Sequence, residues 1–141
     1  MSTQEIRVGQ IEDLPLALVS IVWGAPGAES ANKIDVSASC QDFTGGSLAS
    51  GIVDVEVTCS DGAADAEPSA TATLGAADTP AGTILSGAGT ATLVIRTDAA
   101  GNFAVGVTET AAAMRYLWIK AGGNARLWVR SAAGVLELTF V

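Results

Sequence analysis

Histidine does not occur in this 141-residue chain. Its absence excludes imidazole acid–base catalysis, Ser-His-Asp triads and His-ligated metal sites from a single chain. Basic residues are scarce: two lysines (Lys33, Lys120) and five arginines face 15 acidic residues, for a net charge of −8. A nucleic-acid binder carries a basic stripe that neutralises phosphates, and none is visible, so neither nucleic acid nor an anionic membrane is an expected partner. The longest apolar stretch, Leu14 to Trp23, is broken by Pro15 and Ser20 and is too short to span a bilayer. Met1-Ser2-Thr3-Gln4-Glu5 lacks the basic and apolar regions of a secretory signal, which points to synthesis and folding in a cytoplasm. There is no CxxC and no GxSxG. Ser86-Gly87-Ala88-Gly89 opens a strand and has no helix behind it to hold an anion, so it reads as an ordinary loop. No cofactor and no metal are expected.

What is present is a β composition. Hydrophobic residues make up 49%, mostly Ala, Val, Leu and Ile, and 16 glycines punctuate them. That is enough for one domain with a real core, built of short strands and tight turns. Residues 1–15 read as an N-terminal arm before a single domain at 16–141. Leu16–Trp23 reads as a buried strand or a short helix. Lys33–Cys40 and Ile52–Cys59 alternate apolar and polar residues with period 2 and pair as a hairpin if the loop at 41–50 is tight. In that arrangement Cys40 and Cys59 are too far apart to bridge and behave as two buried thiols; a bridge needs their strands to lie in different sheets.

Three further pairings follow from alternation and turn chemistry. Thr90–Thr97 and Asn102–Glu109 flank Asp98-Ala99-Ala100-Gly101, and pairing Ile95 with Phe103 and Leu93 with Val105 leaves one apolar face. Arg115–Lys120 and Arg126–Arg130 flank Gly122-Gly123-Asn124, which places Trp118 opposite Trp128 and Tyr116 opposite Arg130. The last strand, 134–141, then brings Leu136 and Leu138 to Val129 and Leu127. Roughly seven to nine strands with regular turn signals and no convincing helix make an all-β chain, an antiparallel sandwich of immunoglobulin-like or jelly-roll type.

The chemistry on offer is thin. Asp54 and Glu56 share one strand face and are the candidate carboxylate pair, but a solvated face explains them. Asp61, Asp65 and Glu67 supply oxygen ligands in one loop without the spacing of a calcium loop. The aromatic face of Tyr116, Trp118, Trp128 and Arg130 is the candidate binding site. It fits a protein–protein contact, intramolecular burial, or stacking against a sugar ring.

The stretch from Thr90 to Thr108, with its Asp-x-x-Gly-x-Phe hairpin at Asp98–Phe103, and the C-terminal tryptophan segment resemble small β-sandwich virion proteins of tailed bacteriophages. The likeness covers less than half of the chain. It implies a non-enzymatic structural role: a homo-oligomeric capsid decoration (cement) or head–tail subunit in the virion, made in the host cytoplasm and bound to other virion proteins. An immunoglobulin-like adhesin or carbohydrate-binding module using Trp118 and Trp128 is the alternative.

Overall fold

The structure, a computed structural model, describes residues 17–41, 52–120, 123, 124, 127–131 and 134–141. The arm at 1–15 and most of the loop at 41–50 lie outside them. The described strands are β1 (Ala17–Trp23), β2 (Lys33–Gln41), β3 (Asp54–Ser60), β4 (Thr73–Ala76), β5 (Thr83–Ser86), β6 (Thr92–Arg96), β7 (Asn102–Thr108), β8 (Met114–Lys120), β9 (Gly123–Asn124), β10 (Leu127–Ser131) and β11 (Leu136–Thr139). They form a six-stranded sheet in the order β4-β7-β2-β1-β10-β9 and a five-stranded sheet in the order β11-β8-β3-β6-β5. The chain is thus an all-β sandwich, and every pair is antiparallel except β1 with β10.

Alternation decides which side chains enter the core. Ile34, Val36, Ala38 and Cys40 from β2 and Phe103, Val105 and Val107 from β7 meet Val55, Val57 and Cys59 from β3, Leu93 and Ile95 from β6, and Leu117 from β8 in one buried cluster. Each Val, Leu, Ile or Phe among them contributes about 1.5–3 kcal/mol by leaving water, so the shared interior is what holds two otherwise half-apolar sheets together.

The strand partners differ from those that alternation suggests. β6 lies in the five-stranded sheet beside β3 and β5, whereas β7 lies in the other beside β2 and β4. The turn between them does form: the Asp98 carboxylate accepts the backbone N–H groups of Ala100 and Asn102, and Gly101 takes a φ of 81°. Beyond that turn, Thr97 bonds Val53 while the carbonyl of Gly101 accepts the N–H of Cys40, so the two strands are drawn into opposite sheets. β2 and β3 also separate, as do β8 and β10. Trp118 therefore pairs with Thr58, and Trp128 with Leu18 and Gly123. β11 returns to β8, which sets Leu136 opposite Leu117 and Glu137 opposite Tyr116. The β6–β7 case shows the cause. Ile95 and Phe103 are both apolar because both face the core, and facing residues satisfy an alternation test as well as paired ones do.

Taken together, β4-β7-β2-β1 and β11-β8-β3 follow the D-E-B-A and G-F-C order of a constant-type immunoglobulin sandwich. Two additions extend it: the β5–β6 hairpin alongside β3, and β9–β10 alongside β1. The loop after β4 also folds across the outside of the six-stranded sheet, where Asp78 bonds Lys33 at 2.7 Å and its N–H reaches Asp35 at 2.9 Å. Gly106 on β7 lies beneath this crossing. A Cβ there would come within 2.8 Å of the Ala76 carbonyl and closer still to Lys33.

Candidate functional site

Tyr116 and Trp118 stand two residues apart on β8, whose Leu117 and Ile119 point into the core. Both aromatics therefore project from the outer face of the five-stranded sheet, and both are half-buried there. Trp118 does not rotate freely on that face. Its indole N–H donates to the Ser60 hydroxyl at 2.7 Å, and that hydroxyl donates in turn to the Gly62 carbonyl at 2.7 Å. Ser60 is 1% exposed, so the ring is tied to a buried group at the start of the 61–72 segment.

Trp128 and Arg130 are not on this face. Their strand, β10, belongs to the six-stranded sheet and runs parallel to β1. The four candidate residues thus divide into two pairs on different sheets, and Trp118 and Trp128 are not strand partners.

The 61–72 segment is held against β3 and β8 by an ionic cluster. Glu109 is 1% exposed and accepts hydrogen bonds from Arg115 Nε at 2.8 Å, Thr71 Oγ1 at 2.6 Å and the Ala111 N–H at 3.0 Å. Arg115 also pairs with Asp61 at 3.2 Å, and Asp61 accepts a short hydrogen bond from Ser69. Burial pushes the Glu109 carboxyl up, but the bonds from Thr71, Ala111 and Arg115 outweigh it and hold the group below its ordinary value.

Sequence reading passed over this cluster, although a signal was there. Glu109 continues the inward register of Phe103, Val105 and Val107, and Arg115 precedes Leu117 and Ile119 in the same way. A charge at an inward position in each of two successive strands marks a buried pair.

The remaining carboxylates have ordinary partners. Arg96 forks onto Asp54 at 2.7 and 3.1 Å, so one member of the proposed acid pair is engaged. In the acidic loop, Asp61 is taken by Arg115 and Ser69, and Asp65 accepts the Glu67 N–H at 3.3 Å. Among the described residues, no group of three Cys, Asp or Glu is placed to hold a metal ion. Cys40 and Cys59 are free and buried, and burial raises their thiols to about 11 and about 12. Their strands do lie in different sheets, yet no bridge joins them.

Between Trp118 and the 61–72 segment lies a cleft of about 440 Å³ lined by Glu56, Thr58, Ala66, Pro68, Thr92 and Trp118, with Ile119 at its base. Its floor is the outer face of β3, β6 and β8. Its far wall is the segment that the Arg115 cluster anchors, reinforced by the bridge between Ser60 and Pro68 and by the Ser69 N–H on the Cys59 carbonyl. A second cleft of the same volume lies outside the six-stranded sheet between Val22, Trp23 and Thr79–Ala81, and its lining carries no charged side chain.

No family model, curated protein or solved structure matches this chain.

Proposed function

We propose that the protein is a non-enzymatic structural subunit that works by protein–protein contact, and most specifically a capsid decoration (cement) protein of a tailed-phage virion. The observation that carries the contact reading is the pinned Trp118, with Tyr116 beside it, on the outer face of the five-stranded sheet. Contact energy concentrates in aromatic anchors that are already fixed when the partner arrives, because little rotamer entropy is then lost on docking. Trp118, bonded to a buried serine, meets that description. Tyr116 lies beside it, flanked by Ser60 on β3 and Glu137 on β11.

The virion assignment rests on the likeness of the Thr90–Thr108 stretch and on the physics of a strained shell. A subunit that binds only the assembled shell stabilises it by mass action, and many weak copies suffice.

Light scattering over a concentration series tests the reading. The wild-type mass is expected to rise to a defined oligomer, and Trp118→Ala to shift that transition to higher concentration while circular dichroism shows an unchanged strand signal. A strict monomer throughout the series removes the homo-oligomer. A Trp118→Ala variant that assembles normally removes this face from the contact.

A further inference from the structure

We propose that the cleft beside Trp118 seats an arginine side chain presented by the protein on which this subunit docks. The inference rests on the protein-contact reading and names the chemistry of the partner. Four features of the cleft converge on a planar cation.

The first is the wall. The single polar atom of Trp118 is already bonded to Ser60, so what the indole offers an occupant is ring surface. Ring faces are electron-rich and attract cations, tryptophan most strongly. The second is Glu56. Its neighbour on the same strand, Asp54, is occupied by Arg96, whereas Glu56 makes no ion pair among the described residues. Ala66, which lines the opposite wall, has Asp65 and Glu67 as its chain neighbours. Glu56 is the charged residue in the lining of the cleft, on a chain whose net charge is −8.

The third is the balance of donors and acceptors. Thr58 and Thr92 share one hydroxyl–hydroxyl contact at 3.3 Å, which leaves a single hydroxyl donor against the lone pairs of both hydroxyls and the Glu56 carboxylate, and the indole N–H is spent. A sugar hydroxyl needs donors as well as acceptors from its site. A guanidinium brings five donors and no acceptor, which suits a lining rich in acceptors. The fourth is shape. Glu56 is diagonal to Trp118 across β3 and β8, a spacing that a side chain lying flat on the ring can bridge. Arginine stacks and forks at once, whereas lysine presents a point charge.

The probe is a blocked Gly-Arg-Gly peptide added to the whole protein, with a Gly-citrulline-Gly peptide as the uncharged isostere. The readout is the Trp118 indole N–H resonance, assigned by its disappearance in Trp118→Phe. The arginine peptide is expected to shift this resonance saturably, the effect weakening with added salt, and the citrulline peptide to leave it in place. Glu56→Gln should weaken binding about tenfold, as expected for losing one charge-assisted hydrogen bond.

An equal response to citrulline, or an unchanged affinity in Glu56→Gln, overturns the proposal. So does a response to maltotriose with none to arginine, which would assign the cleft to a neutral sugar. Failure here is separable from failure of the assembly reading. Arginine binding by a strict monomer supports the cleft and removes the homo-oligomer, while a concentration-dependent mass with no arginine response overturns the cleft alone.

Discussion

Replacing Arg115 by leucine should be among the most damaging single changes in the fold. The substitution removes the guanidinium that bonds Glu109 at 2.8 Å and Asp61 at 3.2 Å. Asp61 is more than half exposed and regains water, but Glu109 is 1% exposed and cannot. Breaking a buried pair from one side costs about 3–5 kcal/mol, because a charge is left without its counterion. For a domain of this size that corresponds to a fall in Tm on the order of 10 °C. Glu109→Gln should cost less, since Arg115 keeps Asp61 and the amide still accepts from Thr71 or Ala111. The double variant Arg115→Leu/Glu109→Leu should recover part of the loss, as apolar replacements of ionic pairs commonly do. Urea unfolding at neutral pH measures all three. If Arg115→Leu costs under about 1 kcal/mol, the range of an exposed pair, or if the double variant is simply additive, the cluster is not a buried lock.

Acid gives an independent check with a definite sign. The carboxyl of Glu109 sits below its ordinary value in the folded protein, so its stabilising share is fully present above the unfolded value of 4.5 and is lost as pH falls through the folded one. Glu109→Gln should therefore flatten the stability profile on the acid side of 4.5, bringing variant and wild type closer together there than at neutral pH.

Other outcomes follow from the same geometry. Native protein should not react with Ellman's reagent at pH 8, because burial holds the thiols of Cys40 and Cys59 at about 11 and about 12, and both should react once the chain is unfolded in urea. Gly106→Val should destabilise by about 1–3 kcal/mol, the cost of overpacking, since the crossing loop and Lys33 occupy the space its side chain needs; a neutral result in thermal melts would mean that the loop does not press on β7. Ser60→Ala should leave the fold intact but broaden or move the Trp118 indole resonance, because the hydroxyl that fixes the ring is gone. Leu117→Ala should cost about 2–5 kcal/mol in urea unfolding, from lost transfer energy and a residual cavity, given its full burial at the centre of β8.

Strand identity and inward register were legible in the sequence; strand partnership was not. The alternation in Lys33–Cys40, Ile52–Cys59 and Thr90–Thr97 correctly finds the core-facing residues, because a period of two survives whichever sheet the strand joins, although the outward Thr58 is itself buried. Turn chemistry was equally informative at Asp98–Gly101, where the aspartate and the glycine do what their types favour. What a turn does not specify is whether the strands leaving it stay side by side. That is decided by distant competitors: β3 is claimed by β6 and β8, and β2 by β7 as well as by its chain neighbour β1, and the pairings of β3 with β6 and β8 and of β2 with β7 each close a long loop. None of those closures leaves a mark within a ten-residue window.

The candidate site shows the same division. Tyr116 and Trp118 were correctly placed on one outward face, since a neighbour two residues away on one strand is fixed by the backbone. Their association with Trp128 and Arg130 depended on a hairpin, and it went with the hairpin. The pattern that did encode a long-range contact was charge out of place. Glu109 and Arg115 each occupy an inward position that alternation assigns to an apolar residue, and a chain tolerates two such exceptions most readily when they meet. Their meeting ties the end of β7 to the start of β8 and to the loop that walls the cleft. The ionic pair is thus one of the ties on the wall, beside the Ser60–Pro68 bridge and the Ser69 N–H on Cys59, and the Arg115→Leu variant should loosen the Trp118 cleft even in solutions where most of its molecules remain folded. Comparing the Trp118 indole resonance in that variant and in wild type separates this local effect from global stability. An unmoved resonance would show that the wall stands without the pair.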